Sequence, residues 1–207
     1  MANNSEHWNR IFASKSDAEL GWYEADFTQT LSLLSPVLID PGKLHGFIAG
    51  NGTSALADIL SEQTASLVVN DLSKSALEQV QNRLSSHIDV SYHCHNLAAP
   101  FRLERSVDLW IDRAALHFLT AADERRIYFD NVIKNVAPGG WLLFAQFSKT
   151  GAKRCAGLDV YQYDTQSLQA ELGEQFELIE QKDWVFTNPF GQARPYIYCL
   201  FRRKAKS

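Results

Sequence analysis

The sequence predicts one α/β domain: a doubly wound, mostly parallel seven-stranded sheet with an antiparallel C-terminal edge hairpin. Three observations carry this expectation. Short apolar runs alternate with helical repeats through the middle of the chain, which argues for strand–helix–strand crossovers and a sheet covered on both faces. A Gly-Asn-Gly turn separates the first such run from the first such helix, and two long strand-like stretches without an intervening helix close the chain. The expected organisation is a single domain over residues 1–207, with a helical lid over 1–40 and the α/β core over 44–203.

Composition agrees with a globular chain of this kind. Of 207 residues, 45% are apolar and 21% charged, values that let a single core form without disulfides or repeats. A formal charge of −4 offers no basic field for a nucleic-acid backbone, and the short basic end "RRKAKS" reads as a solvated tail. Nucleic acid is not an expected partner. Cys94, Cys155 and Cys199 are far apart in sequence, without a C-x-x-C pair, so no thiolate zinc site is indicated and a reducing, cytoplasmic setting is expected. No apolar stretch approaches a membrane span or a signal-peptide core, so no membrane is expected either. The absence of heptads tips the expected state toward monomer.

In order along the chain, "HWNRIFASKSDAELGWYEADFTQTLSLL" carries Trp8, Ile11 and Phe12, then Phe27, Leu31 and Leu34, at helical spacing, with the aromatic break "GWYE" between. The Pro/Gly-punctuated "SPVLIDPGK" leads into "LHGFIA", the first strand. After "GNGTS" a helix buries Leu56, Ile59 and Leu60, with Thr53 or Ser54 as its cap. "SLVVNDLS" is the second strand. Ser73 caps the next helix, in which Leu77, Val80 and Leu84 recur, ending near "SSH". "VSYHCHN" and "VDLWIDR" are strands three and four. In "TAADERRIYFDNVIKNVAPGG", Thr120 is the expected cap, Ile127, Val132 and Val136 the buried stripe, and Pro-Gly-Gly the stop. "WLLFAQF" is strand five, "YDTQSLQAELGE" a helix closed by Gly173, and "FELIEQKDWVFTN" with "RPYIYCLFRRK" the final pair, joined by "NPFGQA".

Chemistry concentrates around "AGNGTSA". In a doubly wound sheet, ligands sit at the carboxyl ends of the strands, where the first turn opens a helix whose free N–H groups favour negative charge. Gly50 and Gly52 permit positive φ and a close backbone approach. Nineteen residues beyond Gly52, at the end of the second strand, stands Asp71, placed to accept the hydroxyls of an adenosine ribose. Two readings share this pattern: a cofactor loop with its ribose acid, or a tight turn followed by an aspartate that caps the next helix. Gly50, Gly52 and Ala55 also satisfy the dinucleotide fingerprint, which admits a nicotinamide enzyme, although no room is left for a separate substrate domain.

Taken with "HWNRIFASKSDAELGWYEADF", "VDLWIDRAALHFLT", "VAPGGWLLFAQFS" and "RPYIYCLFRR", the pattern resembles the class I S-adenosylmethionine-dependent methyltransferases, a small single-domain subgroup with a Rossmann-like fold. The resemblance covers nearly the whole chain. It implies S-adenosyl-L-methionine as cofactor, with Gly50, Asn51, Gly52 and Thr53 at its methionine part, Asp71 and Leu72 at its ribose, and Asn96 and Leu97 at adenine. It also implies that Asp112 and Arg113 meet the cofactor's amino-acid end and the substrate, and that Trp8, Trp22 and Tyr23 belong to a lid. Two positions depart from the family. Ile48 stands two residues before the first glycine, where an acid is usual, and cannot accept from the cofactor's ammonium group, which weakens the site unless Asp112 supplies the missing acceptor. Asn96 replaces an aspartate, though its amide oxygen still accepts.

The implied activity is methyl transfer to an O, N or S nucleophile of a small molecule. The alternatives are a protein-lysine methyltransferase and a partner protein with a decayed cofactor site; the oxidoreductase is least favoured. Asp112 and His117 are the catalytic candidates as proton acceptors, although a histidine at a strand–helix junction more commonly serves structure. Arg113 either clamps an anion or pairs with Asp112 or Glu124. Trp110 and Trp141 read as core. His93 and His95 share one strand face, but no further ligands accompany them, so no metal is expected. Phe190 and Arg194, in the hairpin loop, are expected to border the substrate entrance.

Overall fold

The computed structural model describes residues 5–40, 43–84 and 89–205. Helices α1 (Ser5–Ser14) and α2 (Thr28–Leu34) lead to strand β1 (His45–Ala49), followed by α3 (Leu56–Gln63) and β2 (Ser66–Asp71). Then come α4 (Lys74–Arg83), β3 (Val90–Cys94), β4 (Val107–Arg113), α5 (Ala122–Asn135) and β5 (Val136–Phe147). Helix α6 (Thr165–Leu172) and the long strands β6 (Phe176–Thr187) and β7 (Ala193–Arg203) complete the chain.

These seven strands form one sheet in the order β3-β2-β1-β4-β5-β7-β6, and Arg154–Cys155 pairs with Leu158–Asp159 in a separate two-stranded ladder. The first five run parallel, and β7 inserts antiparallel between β5 and β6. Strand order reverses between β1 and β4, so their carboxyl ends flank the crevice in which such sheets bind ligands.

Each sheet face has its own core. On one, Leu33 and Leu34 of α2, Leu56 and Leu60 of α3, and Leu77 and Val80 of α4 cover Ile48, Val69, Ile111 and Tyr198. On the other, Tyr128, Phe129 and Val132 of α5 and Leu168 of α6 cover Phe47, Trp110, Phe144 and Phe201. Burying each such side chain contributes about 1.5–3 kcal/mol. Trp110 is core as expected, whereas Trp141 is only partly buried, with the Arg202 guanidinium over its ring at 4.9 Å.

Several local expectations need correction. The α3 cap is the Ala55 backbone, without a side-chain bond; Ser54 Oγ accepts instead from Leu56 N at 3.2 Å, and Thr53 donates to Asp17. Helix α5 is capped at Ala121 rather than Thr120, whose carbonyl accepts from Arg125. Its buried stripe is Tyr128, Phe129 and Val132, leaving Ile127 only partly covered. Pro-Gly-Gly does not end α5 in a loop: β5 starts directly at Val136, and 137–140 bulge between the pairs Val107–Val136 and Leu109–Trp141. The Ser73 cap of α4 is present, accepting from Ala76 N at 3.2 Å. That helix ends at Arg83, and residues 85–88, where "SSH" places its end, lie outside the described residues, as do 206–207 of the basic tail. Among the described residues no helix is long and apolar enough to cross a membrane, and no group of three or more His, Cys, Asp or Glu is placed to hold a metal.

Candidate functional site

A cavity of about 1050 Å³, measured to its open mouth, lies at the carboxyl ends of β1, β2 and β4. Its floor is the turn after β1. Gly50 and Gly52 have φ of +60° and +56°, a region L side chains rarely adopt, and neither has space for a side chain: a Cβ on Gly50 would sit 2.4 Å from Ala115 Cβ, and one on Gly52 2.9 Å from the Phe12 ring. Asn51 fastens the turn from inside. Its backbone N–H donates to the Asn70 carbonyl at 2.9 Å, and its Nδ2 donates to the carbonyls of Gly52 and Ser54 at 3.0 and 3.2 Å. Its buried Oδ1 has no protein partner and belongs to a residue lining the cavity.

Asp71, at the tip of β2, joins floor to wall. Oδ2 accepts from Gly52 N at 2.7 Å and Oδ1 from Ser73 N at 2.8 Å, so the carboxylate serves the turn as well as facing the cavity. Burial raises its pKa to about 6, against the backbone donors that favour the ionised form. Asn70 donates through Nδ2 to the carbonyls of His93 and His95 at 2.8 and 3.1 Å, fixing the end of β3 beside that of β2.

The wall beyond β3 includes Leu72, His95, Asn96 and Leu97. Asn96 Oδ1 accepts from Ala98 N at 2.9 Å, leaving one lone pair free. The irregular stretch that follows is pinned to α5 by two asparagines. Asn131 Nδ2 donates to the carbonyls of Leu97 and Ala99 while its Oδ1 accepts from Phe101 N, and Asn135 Oδ1 accepts from Leu103 N.

Aromatic side chains roof the cavity. Trp8, Phe12, Trp22, Tyr23 and Phe118 all line it; the Trp8 ring meets Phe118 edge-on at 4.8 Å and Trp22 at 5.8 Å. Asn9 and Phe12 tie this roof to α4, through Ser73 Oγ donating to Asn9 Oδ1 at 2.7 Å and Gln79 Nε2 to the Phe12 carbonyl at 3.0 Å. Between roof and β4, Arg113 Nε lies 2.6 Å from Glu24 Oε2, with side chains 9% and 5% exposed. Glu24, rather than Asp112 or Glu124, is thus the partner of Arg113. Burial raises the Glu24 pKa, opposed by the guanidinium beside it.

The two catalytic candidates do not reach the cavity. Successive residues of a strand face opposite sides of the sheet, so Arg113 opens into the cavity while Asp112 is driven into the α5 layer. There its carboxylate, fully buried, accepts from Tyr128 Oη (2.6 Å), Gln146 Nε2 (2.7 Å), Ala115 N (3.0 Å) and Leu116 N (3.1 Å). Burial raises its pKa, and these donors oppose the shift. Asp112 therefore shapes the turn after β4 and is not free to replace the acid missing at Ile48. His117 is also fully buried, its ring 4.6 Å from those of Phe118 and Phe147. Burial, then the Arg113 charge, lowers its pKa to about 3, so it is neutral and a weak base. Phe190 is exposed and, like Arg194, does not line the cavity.

Trp8, Trp22, Tyr23, Gly50, Asn51, Gly52, Thr53, Asp71, Leu72, Asn96, Leu97 and Arg113 do come together around it. The sequence reading missed Glu24, Asn70, His95 and Phe118. Asn70 and His95 adjoin motif residues in "LVVND" and "HCHN", which is a usable signal; Glu24 has none beyond ending "GWYE".

A family model described as a methyltransferase domain matches residues 47–142. Among solved structures, the N-methyltransferase NodS of Bradyrhizobium japonicum, in complex with S-adenosylhomocysteine, superposes with a TM-score of 0.77 at 20% identity, covering 97% of this chain and 98% of that one. A SAM-dependent methyltransferase of Anabaena variabilis gives 0.77 at 13% identity, with 97% and 93% covered. The 1,6-didemethyltoxoflavin N1-methyltransferase of Burkholderia thailandensis, holding its substrate and S-adenosylhomocysteine, gives 0.69 at 14%, with 93% and 80% covered. No curated protein matches the chain.

Proposed function

We propose that the chain is a class I S-adenosylmethionine-dependent methyltransferase, whose cavity binds S-adenosylmethionine and transfers the methyl group to a nucleophile on a small molecule. One observation carries this reading. A glycine turn without room for side chains, an acid at the tip of β2 and the Asn96–Leu97 wall surround a single cavity under an aromatic roof. The donors and acceptors present suit the cofactor: the ionised Asp71 accepts from ribose hydroxyls, and Asn96 keeps a lone pair for the adenine amino group.

When bound, S-adenosylmethionine supplies a methyl group on a positively charged sulfur. The chain's own residues then hold, shield and align. Trp8, Trp22 and Phe118, acting as a lid, exclude water and present ring faces to a cation. With Asp112 and His117 outside the cavity, rate acceleration rests on in-line positioning in a dry space rather than on either as a general base. A cavity roofed by aromatic side chains suits a small acceptor better than a protein side chain on a folded partner. The NodS and toxoflavin enzymes are N-methyltransferases, which makes a nitrogen nucleophile the first acceptor to test.

Calorimetric titration with S-adenosylhomocysteine tests the cofactor site. Micromolar binding is expected, weakened about 10- to 100-fold in Asp71→Asn, the loss of charge-assisted bonds to the ribose. No binding by the native protein at millimolar ligand would reject the cofactor reading.

Acidity gives a second test with a definite sign. Ligand binding selects ionised Asp71, whose pKa in the free protein is about 6, so affinity should fall as pH drops through 6, by up to about tenfold per unit below it. Folding responds oppositely. A carboxyl pKa raised above its ordinary 3.8 opposes folding when ionised, and that penalty is relieved as pH falls from 6 toward 4. The Asp71→Asn variant should lack this component; an identical pH profile in it would refute the assignment.

A further inference from the structure

Ile48 leaves the end of β1 without the acid that would meet the cofactor's ammonium group, and Asp112 is occupied elsewhere. The sheet register shows what stands in that corner instead. Ile48 pairs with Ile111, so both side chains leave the same face, and Arg113, two residues on, leaves that face again at the strand's end. Arg113 in turn carries Glu24 at 2.6 Å. Both residues line the cavity, and their side chains are more than nine-tenths buried.

The pair is incompletely satisfied. Arg113 Nη1 donates to the Trp22 carbonyl at 3.3 Å and Tyr198 adjoins the guanidinium, while Glu24 Oε2 and Arg113 Nη2 stay buried with no well-formed hydrogen bond beyond the ion pair itself. Buried charges are costly unless fully hydrogen-bonded. An amino-acid zwitterion offers what both lack: an ammonium with three donors for Glu24 and a carboxylate for the Arg113 fork. Its entry leaves the charge of the corner unchanged.

We propose that Glu24, delivered from the N-terminal segment, receives the ammonium group of the cofactor's methionine part, and Arg113 its carboxylate, so that the roof replaces the acid absent from β1. The proposal rests on the cofactor reading above. It makes closure of the roof part of cofactor binding, because the carboxylate arrives with residues 21–24 rather than with the sheet.

The test titrates full-length protein calorimetrically with S-adenosylhomocysteine, with its deaminated analogue S-adenosyl-4-thiobutyrate, and with its decarboxylated analogue S-adenosyl-3-thiopropylamine. Glu24→Gln should weaken S-adenosylhomocysteine and the amine-bearing analogue by about tenfold or more and hold the deaminated ligand as tightly as before or tighter. Arg113→Gln should spare the amine-bearing ligand and weaken the other two. In the native protein, which needs no variant to fold, removing the ammonium alone should cost affinity on the same scale. Equal weakening of all three ligands by Glu24→Gln would make Glu24 a brace of the roof and overturn the proposal, as would no weakening of any. Failure of the native protein to bind S-adenosylhomocysteine would instead overturn the cofactor reading, and this assignment with it.

Discussion

Asp112→Ala should lower stability by about 3–5 kcal/mol, because it leaves the buried Tyr128 hydroxyl, the Gln146 amide and the N–H groups of Ala115 and Leu116 without their acceptor at once. For a chain of 207 residues that is a fall in melting temperature of about 6–20 °C. Asp112→Asn should be milder, since its amide oxygen still accepts from one set of donors while Tyr128 rotates its hydroxyl to receive from the new amide. Thermal unfolding beside S-adenosylhomocysteine calorimetry separates this role from catalysis: the Asn variant should bind the cofactor product and retain turnover. A stable, cofactor-binding but inactive Asp112→Asn protein would restore Asp112 as a proton acceptor.

Gly50→Ala is the other large effect. The left-handed backbone costs a non-glycine residue about 1–2 kcal/mol, and forcing a methyl to 2.4 Å from Ala115 Cβ adds an overpacking cost of about 1–3 kcal/mol. Ala115 has little freedom to retreat, because Asp112 holds its N–H at 3.0 Å. The floor must deform instead, and the expected result is loss of measurable S-adenosylhomocysteine binding together with a lower melting temperature. Unaltered binding in this variant would show that the turn is not the cofactor's floor. The two predictions meet here: Asp112 holds in place the alanine that leaves no room for a side chain on Gly50.

Much of this is legible in the sequence. Alternation of apolar runs with helical repeats gave the sheet and its edge hairpin, and the spacing from Gly52 to Asp71 located floor and wall, since turn geometry and side-chain alternation are local properties. The misplaced residues failed for a physical reason also present in the sequence. Asp112 and Arg113 are neighbours on one strand, so both cannot enter the same cavity, and a strict reading of strand alternation would have chosen between them. What local pattern could not supply was Glu24. Its position depends on how the N-terminal segment lands on β4, a contact between residues 89 apart, and no propensity encodes such a landing. The caps at Thr53 and Thr120 failed similarly, since each threonine takes up another bond or leaves capping to the backbone beside it.

The asparagines of α5 carry a different lesson. The stretch from Leu97 to Leu103 has neither helix nor strand to satisfy its backbone, and it borrows that order from Asn131 and Asn135. The Asn96–Leu97 wall of the cavity is therefore held in place by a helix that does not line it. If that wall meets adenine, as proposed above, selection on ligand affinity would fall on two amides outside the cavity, and drift at either would retune the site while every residue lining it stayed the same.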